Sequence, residues 1–255
     1  KILRNIDQII DTQGNELSVA NPVEVPQQLE SFRNRIINGD MKIDQRNAGA
    51  AITSGYPVDR FNTYSAGITN WQAQQISEGP AGFSNSVKYT CTPAIETPDA
   101  TDYLNFVQRI EGFNFYDFNY GTTDAKSFTL SFYLKTNLAG TYGISFHNNA
   151  FNRVYVATYT VSASDAAAEN WVRYSILVPG DTSSSTWEVG NLVGITIEFC
   201  LSIGSDRDGT TGTWSSTSSV FGAIGQVNLL SSTSNYWQIT GVQLEEGTVA
   251  TPFEH

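Results

Sequence analysis

The sequence predicts an all-β protein: an antiparallel two-sheet sandwich of jelly-roll type over residues 35–255, preceded by a short N-terminal arm over 1–34. Three observations carry this. Short runs of alternating apolar and polar residues recur after about residue 60, and almost nothing there has helical spacing. The runs are separated by clusters of Gly, Ser, Thr, Asn and Pro, which break strands and turn the chain. Ten or so strands at that spacing suit two packed sheets.

Taken in order, the arm comes first. Ile2, Ile6 and Ile9 are spaced four and three apart, a coiled-coil-like seam of about one and a half heptads. So short a seam cannot stand alone. Either it pairs with copies of itself, as the base of a homotrimeric fibre would, or residues 9–19 fold as a hairpin around Gln13-Gly14-Asn15. Pro22 and Pro26 then fix φ and remove amide donors, so this stretch should run extended as a linker or docking arm. Strands are expected at 62–66, 71–77, 86–91, 103–111, 128–135, 141–147, 153–161, 171–178, 192–203 and 236–245. In the fifth, Phe128, Leu130, Phe132 and Leu134 alternate with Thr129, Ser131, Tyr133 and Lys135, the pattern of a half-buried strand. One helical turn is expected at 165–169, ahead of Trp171. Residues 181–186 and 215–219 read as solvated loops.

Charge narrows the partners. Fourteen Lys plus Arg against 25 Asp plus Glu give a net charge of −11, which repels phosphate backbones and anionic membranes. Neither nucleic acid nor membrane insertion is expected. No apolar run approaches the roughly 18 to 20 residues of a membrane span, and residues 1–11 are too short and too charged for a secretory signal. The expectation is a soluble chain, and its start on Lys1 rather than Met suggests processing or a longer parent. Strand alternation also separates the two cysteines. Cys91 falls on the apolar side with Val87 and Tyr89. Cys200 falls opposite Ile195, Ile197, Phe199 and Leu201, with Thr196 and Glu198. Two free thiols are expected, because a bridge needs converging Cβ vectors within about 7 Å between Cα atoms; assembly in a reducing cytosol suits them.

Two stretches bracket the sandwich: RNRIINGDMKIDQRNAGA from Arg33 to Ala50, and ITGVQLEEGTVATPFE from Ile239 to Glu254. Asn38-Gly39-Asp40 fits a tight turn or bulge, since Gly accepts positive φ and Asn visits the left-handed region cheaply. Together the two stretches resemble the opening and closing strands of a module found in bacteriophage tail-fibre and other virion proteins. The resemblance covers roughly residues 33–254. It implies that Trp237, Ile239, Val242 and Leu244 are core residues, with a bulge at Gly241 switching the inward face from odd to even positions. More distantly, the motif resembles carbohydrate-binding modules of jelly-roll form, some of which hold a structural calcium; that would fall on Asp40.

Candidate chemistry is sparse. With His147 on a strand, His255 at the terminus and no Gly-x-Ser-x-Gly elbow, a serine hydrolase has no support, and His147 reads as an ordinary polar residue. A glycosidase needs two carboxylates about 5 to 10 Å apart. Glu111, Glu188, Glu198, Glu245 and Glu246 are available, but any acidic chain offers such pairs by chance. The loop DRDGTTGTW, from Asp206 to Trp214, has half of a calcium loop's carboxylates, but Thr217 stands where its closing Glu would be. Its other readings are sugar recognition, with Trp214 stacking on a pyranose while Arg207 and Asp208 bond its hydroxyls, or a hairpin tip with Trp214 tucked into the core. Trp71, among Gln72, Gln74 and Gln75, is a second candidate platform. In NFYDFNYG, from Asn114 to Gly121, Phe115 and Tyr116 either meet a neighbouring subunit or pack over the open end of the sandwich. No cofactor, metal or catalytic residue is expected. The resemblance implies a non-enzymatic virion component, a tail-fibre or receptor-binding protein that assembles in the bacterial cytoplasm, trimerises, joins other virion proteins and contacts host surface glycan. The alternatives are a purely structural capsid or tail decoration and, third, a polysaccharide depolymerase.

Overall fold

Residues 33–255, which the computed structural model describes, form two antiparallel sheets packed face to face. Ile2, Ile6 and Ile9, with both readings of the arm, lie outside the described residues. In chain order the strands are β1 (Gly55–Val58), β2 (Phe61–Ala66), β3 (Trp71–Ile76), β4 (Ser86–Cys91), β5 (Tyr103–Glu111), β6 (Phe128–Thr136), β7 (Gly140–His147), β8 (Val154–Val161), β9 (Val172–Val178), β10 (Val193–Ile203), β11 (Asp208–Gly209), β12 (Trp214–Ser215), β13 (Gly222–Ala223) and β14 (Tyr236–Glu246). One sheet runs β1-β2-β5-β10-β7-β8-β12 and the other β3-β4-β14-β6-β9, while β11 pairs parallel with β13. All ten expected strands are present. The four additional ones span two to four residues, too short for alternation to show. The helical turn forms as α1 (Ala163–Ala168); it begins earlier than expected because the Ser162 hydroxyl caps it, accepting from the Asp165 amide at 3.1 Å.

The core lies between the inward faces, and Trp237 stands near its middle. Fully buried on β14, it meets Tyr89 of its own sheet at 6.0 Å and Phe106 and Phe199 of the other at 5.8 Å each. Its indole N–H donates to the Tyr159 hydroxyl at 3.0 Å. One side chain thus joins both sheets by ring packing and a satisfied hydrogen bond. Both cysteines are free, as alternation implies, and both are buried, Cys200 under a cover that alternation does not show.

The bracketing stretches lock together. The register of β14 against β6 breaks between Thr240 and Gln243, where Gly241 takes φ +63°. Trp237 and Ile239 point inward before the break, Val242 and Leu244 after it, and all four are fully buried. The Val242 amide, freed by the bulge, donates to the Gly39 carbonyl at 2.9 Å, and the Arg35 amide donates to the Leu244 carbonyl at 2.9 Å. Within the turn, Asn38 and not Gly39 adopts positive φ, at 61°. Asn38 holds that conformation through its amide, which donates to the carbonyls of Ile43 (2.9 Å) and Asp59 (2.8 Å). Gly39 answers a different need: a Cβ there would lie 2.1 Å from the Val242 carbonyl oxygen. Gly39→Ala is therefore expected to destabilise the fold by at least about 2 kcal/mol, since the clash is with backbone that cannot rotate away. Denaturant unfolding reads this directly, and an unchanged midpoint would refute the packing argument.

Candidate functional site

The outward face of the seven-stranded sheet positions the chemistry. Along β5 the outward residues are Tyr103, Asn105, Val107 and Arg109; β2 sets Tyr64 opposite Asn105, and β10 sets Thr196 opposite Arg109 and Glu198 opposite Val107. Much of this face is roofed. Residues 204–227 fold back across it: Phe221 lies 4.7 Å from Tyr103 and 5.8 Å from His147, while Val220 and Ala223 pack on Val154 and Val156. Consequently Glu198, read as facing a polar surface, is only 3% exposed and accepts one hydrogen bond, from Asn105 at 2.7 Å. Burial pushes its carboxyl up to about 7, against the downward pull of Asn105 and Arg109. His147, beside Ser145 Oγ at 3.0 Å, is pushed down to about 3 by burial and is neutral at physiological pH. Among the described residues, the Thr196 hydroxyl and His147 Nδ1, in one cross-strand row with Arg109, are buried without a hydrogen-bond partner.

At the unroofed end of this face lies a groove of about 410 Å³, lined by Arg46, Tyr56, Arg60, Arg109, Ile110, Glu111, Asn149, Asn191, Leu192 and Val193. That volume is within the range of small-molecule sites. The Arg46 guanidinium lies 4.6 Å from the Tyr56 ring and bonds Asp59 at 3.1 Å. Arg60 bonds Glu111 at 2.8 Å; burial raises the Glu111 carboxyl, but Arg60 together with hydrogen bonds from the Glu111 backbone and Asn114 holds the group below its ordinary value. Arg109 is exposed, with its guanidinium 4.9 Å from the Tyr64 ring. Tyr56 and Leu192 present apolar surface at 38% and 56% exposure. Guanidinium forks, side-chain amides and an aromatic face in one hollow can bond hydroxyl or anionic groups and cover the apolar side of a ring. A second hollow, about 180 Å³ and lined by Gln72, Ala73, Gln74, Lys88 and Thr90, is smaller than such sites usually are.

The residues picked out from sequence are dispersed. Trp71 is 1% exposed and packs on Tyr89 at 5.8 Å, so it offers no platform; Gln72 and Gln74 face outward while it alternates inward. Trp214, on β12, is half-buried among Tyr155, Trp187 and Tyr120 at 5.3 to 5.6 Å, its indole N–H bonded to the Pro179 carbonyl at 2.7 Å. Trp214 is thus tucked against the core, but the loop is not a hairpin, because β12 pairs with β8 and β11 with β13. Arg207 instead bonds the Thr101 carbonyl and lies over Tyr103 and Phe221, and Asp208 belongs to the β11–β13 pair, so the loop does not bring the three together. Phe115 is 2% exposed and stacks on Phe118 at 4.6 Å, whereas Tyr116 is 60% exposed; the aromatic cluster divides between core packing and open surface. Asp40 pairs with Lys42 at 2.8 Å, and among the described residues no three His, Cys, Asp or Glu gather as metal ligands, so the donor set does not suit a calcium. Glu245 is buried under Thr251 and Gln243, and Glu246 pairs with Lys126. The stretch 181–186, read as solvated, is organised by Asp181, a buried carboxylate holding Arg153, Ser183, Ser185 and Trp187.

Fold and groove together define a jelly-roll-type β-sandwich with a ligand-sized hollow at one end of its larger sheet. No family model matches the chain, and no curated protein matches its sequence. Similar solved structures include the enzymatically active domain of tailspike protein 4 of bacteriophage CBA120, with 14% identity, 84% of this chain and 22% of that one covered, and a TM-score of 0.43. Others are the CBM22-1 xylan-binding domain of Paenibacillus barcinonensis Xyn10C (8% identity, 80% and 99% covered, TM-score 0.36) and the family 11 carbohydrate-binding module of Clostridium thermocellum in complex with a β-1,3-1,4-mixed-linked tetrasaccharide (12%, 76% and 92%, 0.37). This chain therefore spans 22% of the length of the tailspike chain it matches.

Glu198 gives a pH test of the roofed face. The folded carboxyl keeps its proton up to about pH 7, whereas an unfolded one releases it near 4.5. The folded state thus binds the extra proton in between, and this contribution to stability is full below pH 4.5 and lost as pH rises through 7. Glu198→Gln is expected to remove that loss, worth up to roughly 3 kcal/mol. Urea unfolding of both proteins at pH 5 and pH 8 measures it; parallel pH dependences would contradict the burial of an ionisable Glu198.

Proposed function

We propose that the chain is a non-enzymatic phage virion component, a tail-fibre or receptor-binding protein, whose sandwich holds host surface glycan in the groove of Arg46, Tyr56, Arg60, Arg109, Asn149, Asn191 and Leu192. The groove itself carries the reading: it alone among the described hollows joins ligand size, an aromatic face, amides and guanidinium forks. The resemblance of the bracketing stretches to phage virion proteins supports the setting. A binding role, rather than hydrolysis, is supported by the lining, where Glu111 is the single carboxylate and is held by Arg60, while glycosidic hydrolysis ordinarily takes two. The Ile-rich arm would trimerise the chain, and three linked grooves would convert weak single contacts into adhesion by raising effective concentration.

A glycan array followed by host-cell adsorption tests the groove. Tyr56→Ala and Asn191→Ala are each expected to weaken binding about tenfold, the loss of roughly 1.4 kcal/mol. The same loss in Trp214→Ala with Tyr56→Ala unaffected would return the site to the 206–214 loop. An empty array together with undiminished particle assembly would favour the purely structural role, and new reducing ends from host polysaccharide would favour the depolymerase. Light scattering of the full chain should give three times the mass of one chain; a monomer retires the trimer.

A further inference from the structure

We propose that the groove selects an anionic sugar, one whose carboxylate, phosphate or sulfate group sits on the guanidinium of Arg109; this rests on the glycan-binding reading of the same groove. Of its three arginines, two are already balanced. Arg46 bonds Asp59 and Arg60 bonds Glu111, and each is committed to holding a turn or strand end in place. The Arg109 side chain makes no ion pair and no hydrogen bond among the described residues, although it projects outward at the groove. Its guanidinium carbon lies 4.9 Å from the centre of the Tyr64 ring, a cation–π contact that uses up none of its N–H donors. A planar guanidinium fork matches a carboxylate or phosphate in two parallel charge-assisted hydrogen bonds, about twice as strong as bonds to a neutral hydroxyl.

Glu198, whose carboxyl feels the charge of Arg109, lies on the same outward face under the roof, is bonded by Asn105, and carries a proton for part of the time at neutral pH. It therefore neutralises Arg109 incompletely. An unpaired cation on a chain of net charge −11 is a local inversion of the surrounding field. Beside it, Tyr56 and Leu192 supply apolar surface for the ring that bears the anion. A free inorganic anion would use the fork and leave that surface uncovered.

The test is an array on which each acidic glycan, carboxylated, phosphorylated or sulfated, stands beside its neutral parent, probed with the full chain and with Arg109→Gln and Arg109→Lys. Both variants replace an exposed side chain, and circular dichroism verifies their fold. The wild type is expected to favour acidic members about tenfold or more. Arg109→Gln should bring the acidic-to-neutral ratio near one, and Arg109→Lys should retain part of it, since it keeps the charge and loses the fork. Which acidic members bind identifies the anion. If no glycan binds, the groove reading itself fails. If glycans bind with equal affinity for acidic and neutral members, or Arg109→Gln keeps the preference, the groove reading stands and the anion inference is overturned. Equal competition by a single-stranded oligonucleotide would also overturn it, by showing indiscriminate anion binding.

Discussion

The carbonyl of Gly39 receives the amide hydrogen of Val242 at 2.9 Å, in a space where a single methyl group would collide with backbone. This contact occurs where Gly241 interrupts β14, and the interruption decides which side chains of the central strand of the smaller sheet face inward. Without it the alternation established by Trp237 and Ile239 would carry Leu244 to the outer face. The same opening turn reaches the larger sheet, because the Ile37 carbonyl accepts from the Gln108 side chain on β5 at 3.0 Å. Gln108 is the neighbour of Arg109. The geometry of the groove is thus continuous with a backbone contact that fixes the sandwich.

The frame was legible because both of its signals are local. Alternation over six to eleven residues exposed every long strand, and the odd-to-even change of apolar positions across Gly241 exposed the bulge. Side-chain roles were less legible where alternation had to be combined with knowledge of what covers each face. Trp71 sits among glutamines and looks exposed, yet a polar neighbour at the adjacent position is what an inward tryptophan on a half-buried strand has. Glu198 and Cys200 were placed on the correct face, but that face is covered by residues from beyond position 203, and no spacing within β10 reveals a roof.

The groove illustrates the remaining limit. Its lining comes from the opening turn, β1, β5 and loops near 149 and 191, so no two of its main polar contributors form a motif in sequence. Only Arg109 carried a local sign, an outward position on a strand otherwise covered. Conversely, the 206–214 loop looked like a site because charge and tryptophan lie close in sequence; folding sends Arg207 toward Tyr103 and Trp214 toward Tyr155.

The last strand and the C-terminal residues also return to the opening of the sandwich. The Asn34 amide donates to Glu254 at 3.0 Å, and the Asn34 side chain accepts from Leu244. Phe253 and His255 meanwhile pack on Phe83 above the bulge. Both ends of the sandwich therefore meet at one spot. A unit wired this way is a cassette: it can be spliced into a surface loop of another protein, or cut open elsewhere and rejoined here, with its sheets and its groove intact.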